Sequence, residues 1–434
     1  MPTETRYENF DLRIWREGDR YLAEVTNSPA GSSEREVLQW PFGGPADRVL
    51  LLELENAVLK SRLTLRGGPI ISPEEKVLRD FGAEVFKAVF RDSRSVSATY
   101  TGSRALLLGK DDTGLRLNLR IDPPELACLP WEYVFDEAGK PDHYLCLSSK
   151  SPLVRYLHST QQRAPVRGQG PVRVLGMIAN PGGTWTWLDT EAERRHMEEI
   201  LRAPGLQVEF NWVLRATPDG LFDMMQRGPW HIFHFIGHGG TDRYTDADGQ
   251  TRSEGFVVMD DGLGGPVKVS ASRLADILAD GDVDLAVLNC CESAQGNASS
   301  SVGAALVEQG VPMAIAMQFA ITNTAASRFS EHFYKSLTKG QTVERALTVA
   351  RKYIRMNSDA EWAIPVLFTR SGSFALFEAM PDAPMPQEAL GVLGTVGTVG
   401  TVGTVGAARA VPAAAPPARM SLAQSKLREL WGDR

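Results

Sequence analysis

HIFHFIGHGG, residues 231–240, and VDLAVLNCCE, residues 283–292, are two apolar runs that each end abruptly in a reactive side chain. Both have the length and unbroken hydrophobicity of strands buried on both faces, the pattern of a parallel sheet covered by helices. The first ends in His238, held between Gly237 and Gly239; the second ends in the adjacent cysteines Cys290 and Cys291. In an open α/β sheet, ligands bind in the crevice outside the carboxyl ends of the strands. Two neighbouring strands ending this way bring an imidazole beside a thiol, which is what a cysteine nucleophile needs.

Outward from this pair, residues 170–378 alternate strand-like and helix-like segments. VRVLGMIA (172–179) is followed by helical spacing from Asp189 to Leu201, LFDMMQR precedes HIFHFIG, and SRLADILAD precedes VDLAVLN. ASSSVGAALVEQ leads into MAIAMQ (313–318), two helical patterns follow through Ile354, and the stretch closes on AIPVLF. Such alternation implies right-handed crossovers and a mostly parallel sheet with helices on both faces, an α/β fold. Residues 1–165 differ. Short alternating stretches (RYLAEV, EREVLQW, RVLLLEL) suggest β-hairpins, EEKVLRDFGAEVFKAVF has helical spacing, and LRLNLRI alternates like a strand. An α+β N-terminal domain is expected, hinged at PVRGQG (165–170).

From 379 the periodicity ends. Residues 379–419, with their repeated Gly-Thr-Val triplets and Ala/Pro run, read as a flexible linker. Residues 420–434 set Leu422, Leu427, Leu430 and Trp431 near one face of a short amphipathic helix, marginal unless docked on a partner.

Composition excludes several classes. The net charge of −7, from 46 basic against 53 acidic residues, argues against nucleic acid or an anionic membrane as the main partner. The N-terminal MPTETRYENFDLR lacks the apolar core of a signal peptide, and the apolar stretch 303–321 is broken by Glu308, Gln309 and Pro312. Four cysteines in 434 residues do not make a disulfide scaffold. A cytoplasmic setting is expected.

Each reactive residue has a bland reading. A histidine at a strand end is most often structural; the nearby strand-end thiol argues otherwise here. If the strand before them alternates, only one of Cys290 and Cys291 faces the crevice and the other is packing; periodicity does not choose between them. The segment after Cys291, ESAQGNASSS, leads into a helix, and a thiolate near a helix N-terminus and a histidine has a lowered pKa. The N–H groups of Gly239 and Cys291 are candidates for an oxyanion hole. His231, His234 and His238 suggest zinc, but on a strand His234 and His238 stand roughly 13 Å apart. No metal or organic cofactor is expected.

Together these pieces resemble the CHAT family of caspase-like cysteine peptidases, related to caspases, separase and clostripain. The resemblance runs through most of residues 80–378 and includes FGAEVFKAVF, LPWEYVFDE, PLVRYL, VRVLGMIANPGG, HFIGHGG, LAVLNCCESA, QTVERALTVARK and WAIPVLF. It implies a three-layer sandwich. It also implies that Cys291, directly before Glu-Ser-Ala, is the nucleophile, with His238 as general base. The two lie roughly 50 positions apart, as in the caspase pattern. Where many relatives carry an acid after the strand MAIAMQ, this chain reads FAITNTAA, with Asn323. The substrate-binding wall is expected to include Gln318 and Asn323, with a neutral or apolar P1 residue preferred. The function implied is an endopeptidase acting on protein or peptide substrates, gated by a regulatory partner in bacterial defence or stress signalling. The alternative is a catalytically inactive caspase-like scaffold.

Overall fold

Ile232, Phe233, His234 and Phe235 are wholly buried because a layer of helices covers each face of their strand. The computed structural model describes residues 6–43, 46–62, 71–110, 112–138, 144–157, 171–182, 185, 190–202, 208–245, 248–249, 251–290, 301–370 and 376. The expectations for 379–419 and 420–434 lie outside them.

In chain order the first region gives β1 (Arg6–Glu17), β2 (Arg20–Asn27), β3 (Glu36–Leu38), α1 (Ala46–Ser61), α2 (Pro73–Lys87) and α3 (Arg94–Leu106). Then come β4 (Thr113–Ile121), a short α4 (Pro124–Ala127) and β5 (Leu153–Tyr156). The second region gives β6 (Val172–Ile178), α5 (Thr190–Leu201), β7 (Val208–Trp212), α6 (Pro218–Met225), β8 (Ile232–Thr245), β9 (Thr251–Asp260) and β10 (Pro266–Ser270). It closes with α7 (Ala271–Asp280), β11 (Leu285–Cys290), α8 (Val302–Glu308), β12 (Met313–Met317), α9 (Asn323–Leu337), α10 (Val343–Arg355) and β13 (Pro365–Thr369).

The central strand order is β7-β6-β8-β11-β12-β13, parallel from β7 through β12, with β13 antiparallel to β12. The order doubles back at β6, so the crevice at the carboxyl ends of β6, β11 and the parallel half of β8 is a topological switch point. One face buries Ile232, Ile236, Val287 and Ile315 under α5, α9 and α10. The other buries Phe233, Phe235, Ala286 and Leu288 under α6, α7 and α8. The expected α/β sandwich is the fold observed.

The sheet does not stop at β13. It continues through β5, β4, β1, β2 and β3, with β13, β5, β4 and β1 mutually parallel. Strands from the first region, up to β5, and from the second therefore share one sheet, and the expected hinge at 165–170 lies outside the described residues. The LPWEYVFDE segment fastens this junction. Trp131 Nε1 donates to the Leu126 carbonyl at 2.7 Å, and the Tyr133 hydroxyl donates to the Ala360 carbonyl at 2.6 Å. Helix α2 presses so closely on it that a Cβ at Gly82 would stand 1.8 Å from the Tyr133 carbonyl oxygen.

A second difference from the sequence reading concerns β8. It passes through His238 and runs on to Thr245, pairing antiparallel with β9 from His238 onward. Its second half projects past the helix layers and is exposed, so it carries Thr, Asp, Arg and Tyr rather than an apolar run. The GLGG turn at 262–265 links β9 to β10 as its glycines suggest.

Candidate active site

The parallel ladder between β8 and β11 pairs Phe235 with Leu288, Ile236 with Asn289 and Gly237 with Cys290. His238 follows the last rung on one strand. Cys291 follows it on the other, and residues 291–300 lie outside the described residues. Cys290 is buried, on the face of Ala286 and Leu288 that packs against α7 and α8. Cys146 is also buried, and burial pushes its thiol up to about 12, so it stays protonated and unreactive at neutral pH.

The glycines around His238 have separate reasons. A Cβ at Gly237 would stand 2.7 Å from the Phe235 ring and 3.1 Å from the Ala179 carbonyl oxygen. One at Gly240 would stand 3.1 Å from the Phe256 ring. Gly239 stands opposite Val257 in the β8–β9 ladder. His238 is 8% exposed, and the ring of Trp185 stacks on it with centroids 5.3 Å apart and planes 26° apart. Phe256 on β9 meets Trp185 edge-on at 6.3 Å.

The other two histidines of the segment are committed elsewhere. His231 Nδ1 accepts from the backbone N–H of Arg173 at 2.9 Å. His234 is wholly buried and shares a 2.7 Å hydrogen bond with the Tyr334 hydroxyl. Burial pushes its imidazole down from 6.5 to about 3. Between these values the unfolded chain binds a proton that the folded chain refuses. This contribution to stability is complete above pH ~6.5 and is lost as pH falls towards 3, at roughly 1.4 kcal/mol per unit. His234→Gln is expected to flatten the fall in urea midpoint between pH 7 and pH 5. Equal falls in variant and wild type would refute the assignment.

Strand β12 lies beside the cysteine strand, as the pocket expectation requires. Gln318, just past it, is 3% exposed and turned inward: its Nε2 donates to Glu132 Oε2 at 3.2 Å and to the Ala363 carbonyl at 2.8 Å. It leads directly into residues 319–322, which connect β12 to α9. Asn323 is the exposed first residue of α9, beside the N-cap Thr322, whose hydroxyl accepts from the Ala325 N–H. Sequence reasoning missed the acid that does touch this loop. Glu361, 4% exposed, accepts from the Thr322 N–H at 2.8 Å and the Thr322 hydroxyl at 2.9 Å. Arg62 neutralises it across 3.1 Å and also donates to the Ala320 carbonyl. Trp185 was missed too; the signal was its place just after the carboxyl end of β6, the strand that neighbours β8.

Among the described residues no helix is long and apolar enough to cross a membrane. A family model described as CHAT domain matches residues 101–385. No curated protein matches the chain. Among solved structures, the chain is similar to the separase of Saccharomyces cerevisiae in its complex with securin, at 12% identity and a TM-score of 0.44. That alignment covers 84% of this chain and 30% of the separase chain.

Proposed function

This chain belongs to the CHAT domain family, and on that premise we propose that it is a cysteine endopeptidase working through Cys291 and His238. The observation that carries the reading is the pairing of Gly237 with Cys290. One further rung of the same ladder would bring residue 291 opposite His238, with strands about 4.8 Å apart. Cys290 lies on the face of Ala286 and Leu288, so continued alternation would turn residue 291 to the opposite face. That is the face in phase with Ile232, His234, Ile236 and His238.

In the proposed reaction His238 takes the Cys291 proton and the thiolate attacks the scissile carbonyl. The N–H groups of Gly239 and Cys291 stabilise the oxyanion. The protonated imidazole then gives its proton to the leaving amine, and water, activated by the same ring, hydrolyses the thioester. No step calls on a metal or cofactor. The P1 wall is assigned to residues 319–324 with Asn323, while the Gln318 side chain that precedes them turns inward to Glu132 and Ala363. Its acid, Glu361, is already paired with Arg62, so P1 is neutral or apolar. Partner gating and a role in bacterial defence complete the proposal and rest on the family resemblance; docking through residues 420–434 rests on the spacing of Leu422, Leu427, Leu430 and Trp431, and a cytoplasmic setting on the low cysteine content.

The test is labelling of the full-length chain with a peptide-based thiol electrophile, followed by a peptide-library cleavage profile. Labelling at Cys291 with neutral P1 residues preferred is the expected result. Absence of labelling and cleavage would make the chain a scaffold, and a strict requirement for P1 Arg or Lys would refute the pocket assignment.

A further inference from the structure

We propose that Trp185 is a positioning residue for His238, a role that rests on the peptidase reading above. The imidazole of His238 turns about two rotatable bonds, and it serves as a base only while one nitrogen faces the thiol. The indole of Trp185 lies along one face of the ring, 5.3 Å between centroids and 26° between planes, a geometry that opposes rotation about the Cβ–Cγ bond. Trp185 is itself braced. Phe256 meets it edge-on at 6.3 Å and 69°, and Phe256 stands two residues before Val258, the partner of His238 across the hairpin.

Gly240 leaves the room that the Phe256 ring occupies. Phe256 is 7% exposed, with the Lys268 ammonium 4.3 Å from its ring centroid. The continuation of β8 past His238 thus builds a support: hairpin, Phe256, Trp185, imidazole. An aromatic side chain in the loop after β6 holds a base in β8, at the point where that strand leaves the parallel sheet and pairs with β9. This explains why a polar hairpin grows from the strand that carries the histidine.

The experiment uses full-length protein with isotope-labelled histidine, His238 being assigned by its loss in His238→Ala. The indole ring current is expected to shift the His238 ring protons upfield. Trp185→Ala should release that shift, and Trp185→Phe should keep part of it. Alkylation of Cys291 by iodoacetamide, followed by mass spectrometry of its peptide, is expected to slow about 10-fold or more in Trp185→Ala, as misplaced reacting groups do. In Trp185→Phe it should slow less than about 3-fold, and kcat on a cleaved peptide should follow alkylation with KM nearly unchanged.

Unmoved resonances, unchanged alkylation, or a loss confined to KM would overturn the role; the last would make Trp185 a substrate wall. Failure of Trp185→Phe to rescue would mark a merely structural residue and also overturn it. If Trp185→Ala does not fold, Trp185→Leu, apolar but without a ring current, carries the same comparison. Wild-type protein that shows the upfield shift yet no reactive Cys291 would refute the peptidase reading, and the positioning role with it. Wild-type protein with a reactive Cys291 and no upfield shift would refute the positioning role alone.

Discussion

Cys291→Ala is expected to abolish peptide cleavage, and His238→Ala to do nearly the same, with kcat lower on the order of 10⁶-fold for groups that act as a unit. Because they share one proton transfer, the double variant should be no worse than either single one. Cys290→Ala is the control. Its thiol is buried among Leu288, Ala286 and the helices α7 and α8, so removing one buried heavy atom costs about 1 kcal/mol of stability. Cleavage should persist. Measured kcat/KM for the three variants, with urea midpoints to show that each is folded, checks the assignment. Loss of cleavage in Cys290→Ala with retention in Cys291→Ala would reverse it.

What could be read from the sequence follows from the range over which each pattern acts. The parallel strands of the second region are short, buried on both faces and flanked by helical periodicity, so β6, β8, β11 and β12 show in local composition. The pairing of β1 with β4 does not. Those strands are about a hundred residues apart and join the sheet by long-range hydrogen bonding, which leaves no local signature. The second half of β8 was hidden because it is a solvated hairpin, where burial no longer selects apolar residues. Among the proposed site residues, His238 was legible because glycines flank it where the apolar run ends. Trp185 and Glu361 were not, since each acts through a tertiary contact with a residue far along the chain. The amide of Gln318 shows the limit of a positional argument. The strand before it lies where expected, yet its side chain turns inward to Glu132.

Glu132→Ala is expected to cost about 3–5 kcal/mol of stability, as removal of one member of a buried ion pair does. Glu132 is 1% exposed and faces Arg155, whose Nε and Nη2 donate to its two carboxylate oxygens at 3.1 and 2.8 Å. Without the carboxylate, the Arg155 guanidinium stays buried with only the Ala127 and Leu129 carbonyls to answer it, at 3.2 and 2.9 Å. The Gln318 amide then keeps only the Ala363 carbonyl. The three side chains join the LPWEYVFDE segment, β5 and the end of β12, so the loss falls on the junction between the two regions. A double-mutant cycle with Arg155→Ala separates this pairing from simple loss of packing. The double variant should lose clearly less than the sum of the single losses, because the second substitution removes the charge that the first left stranded. Gln318 leads into the 319–324 loop, so Glu132→Ala should also lower kcat/KM under conditions where the protein is still folded. Additive losses, or a single-variant loss below about 1 kcal/mol, would show that the pair is incidental and that hydrophobic packing alone holds the junction.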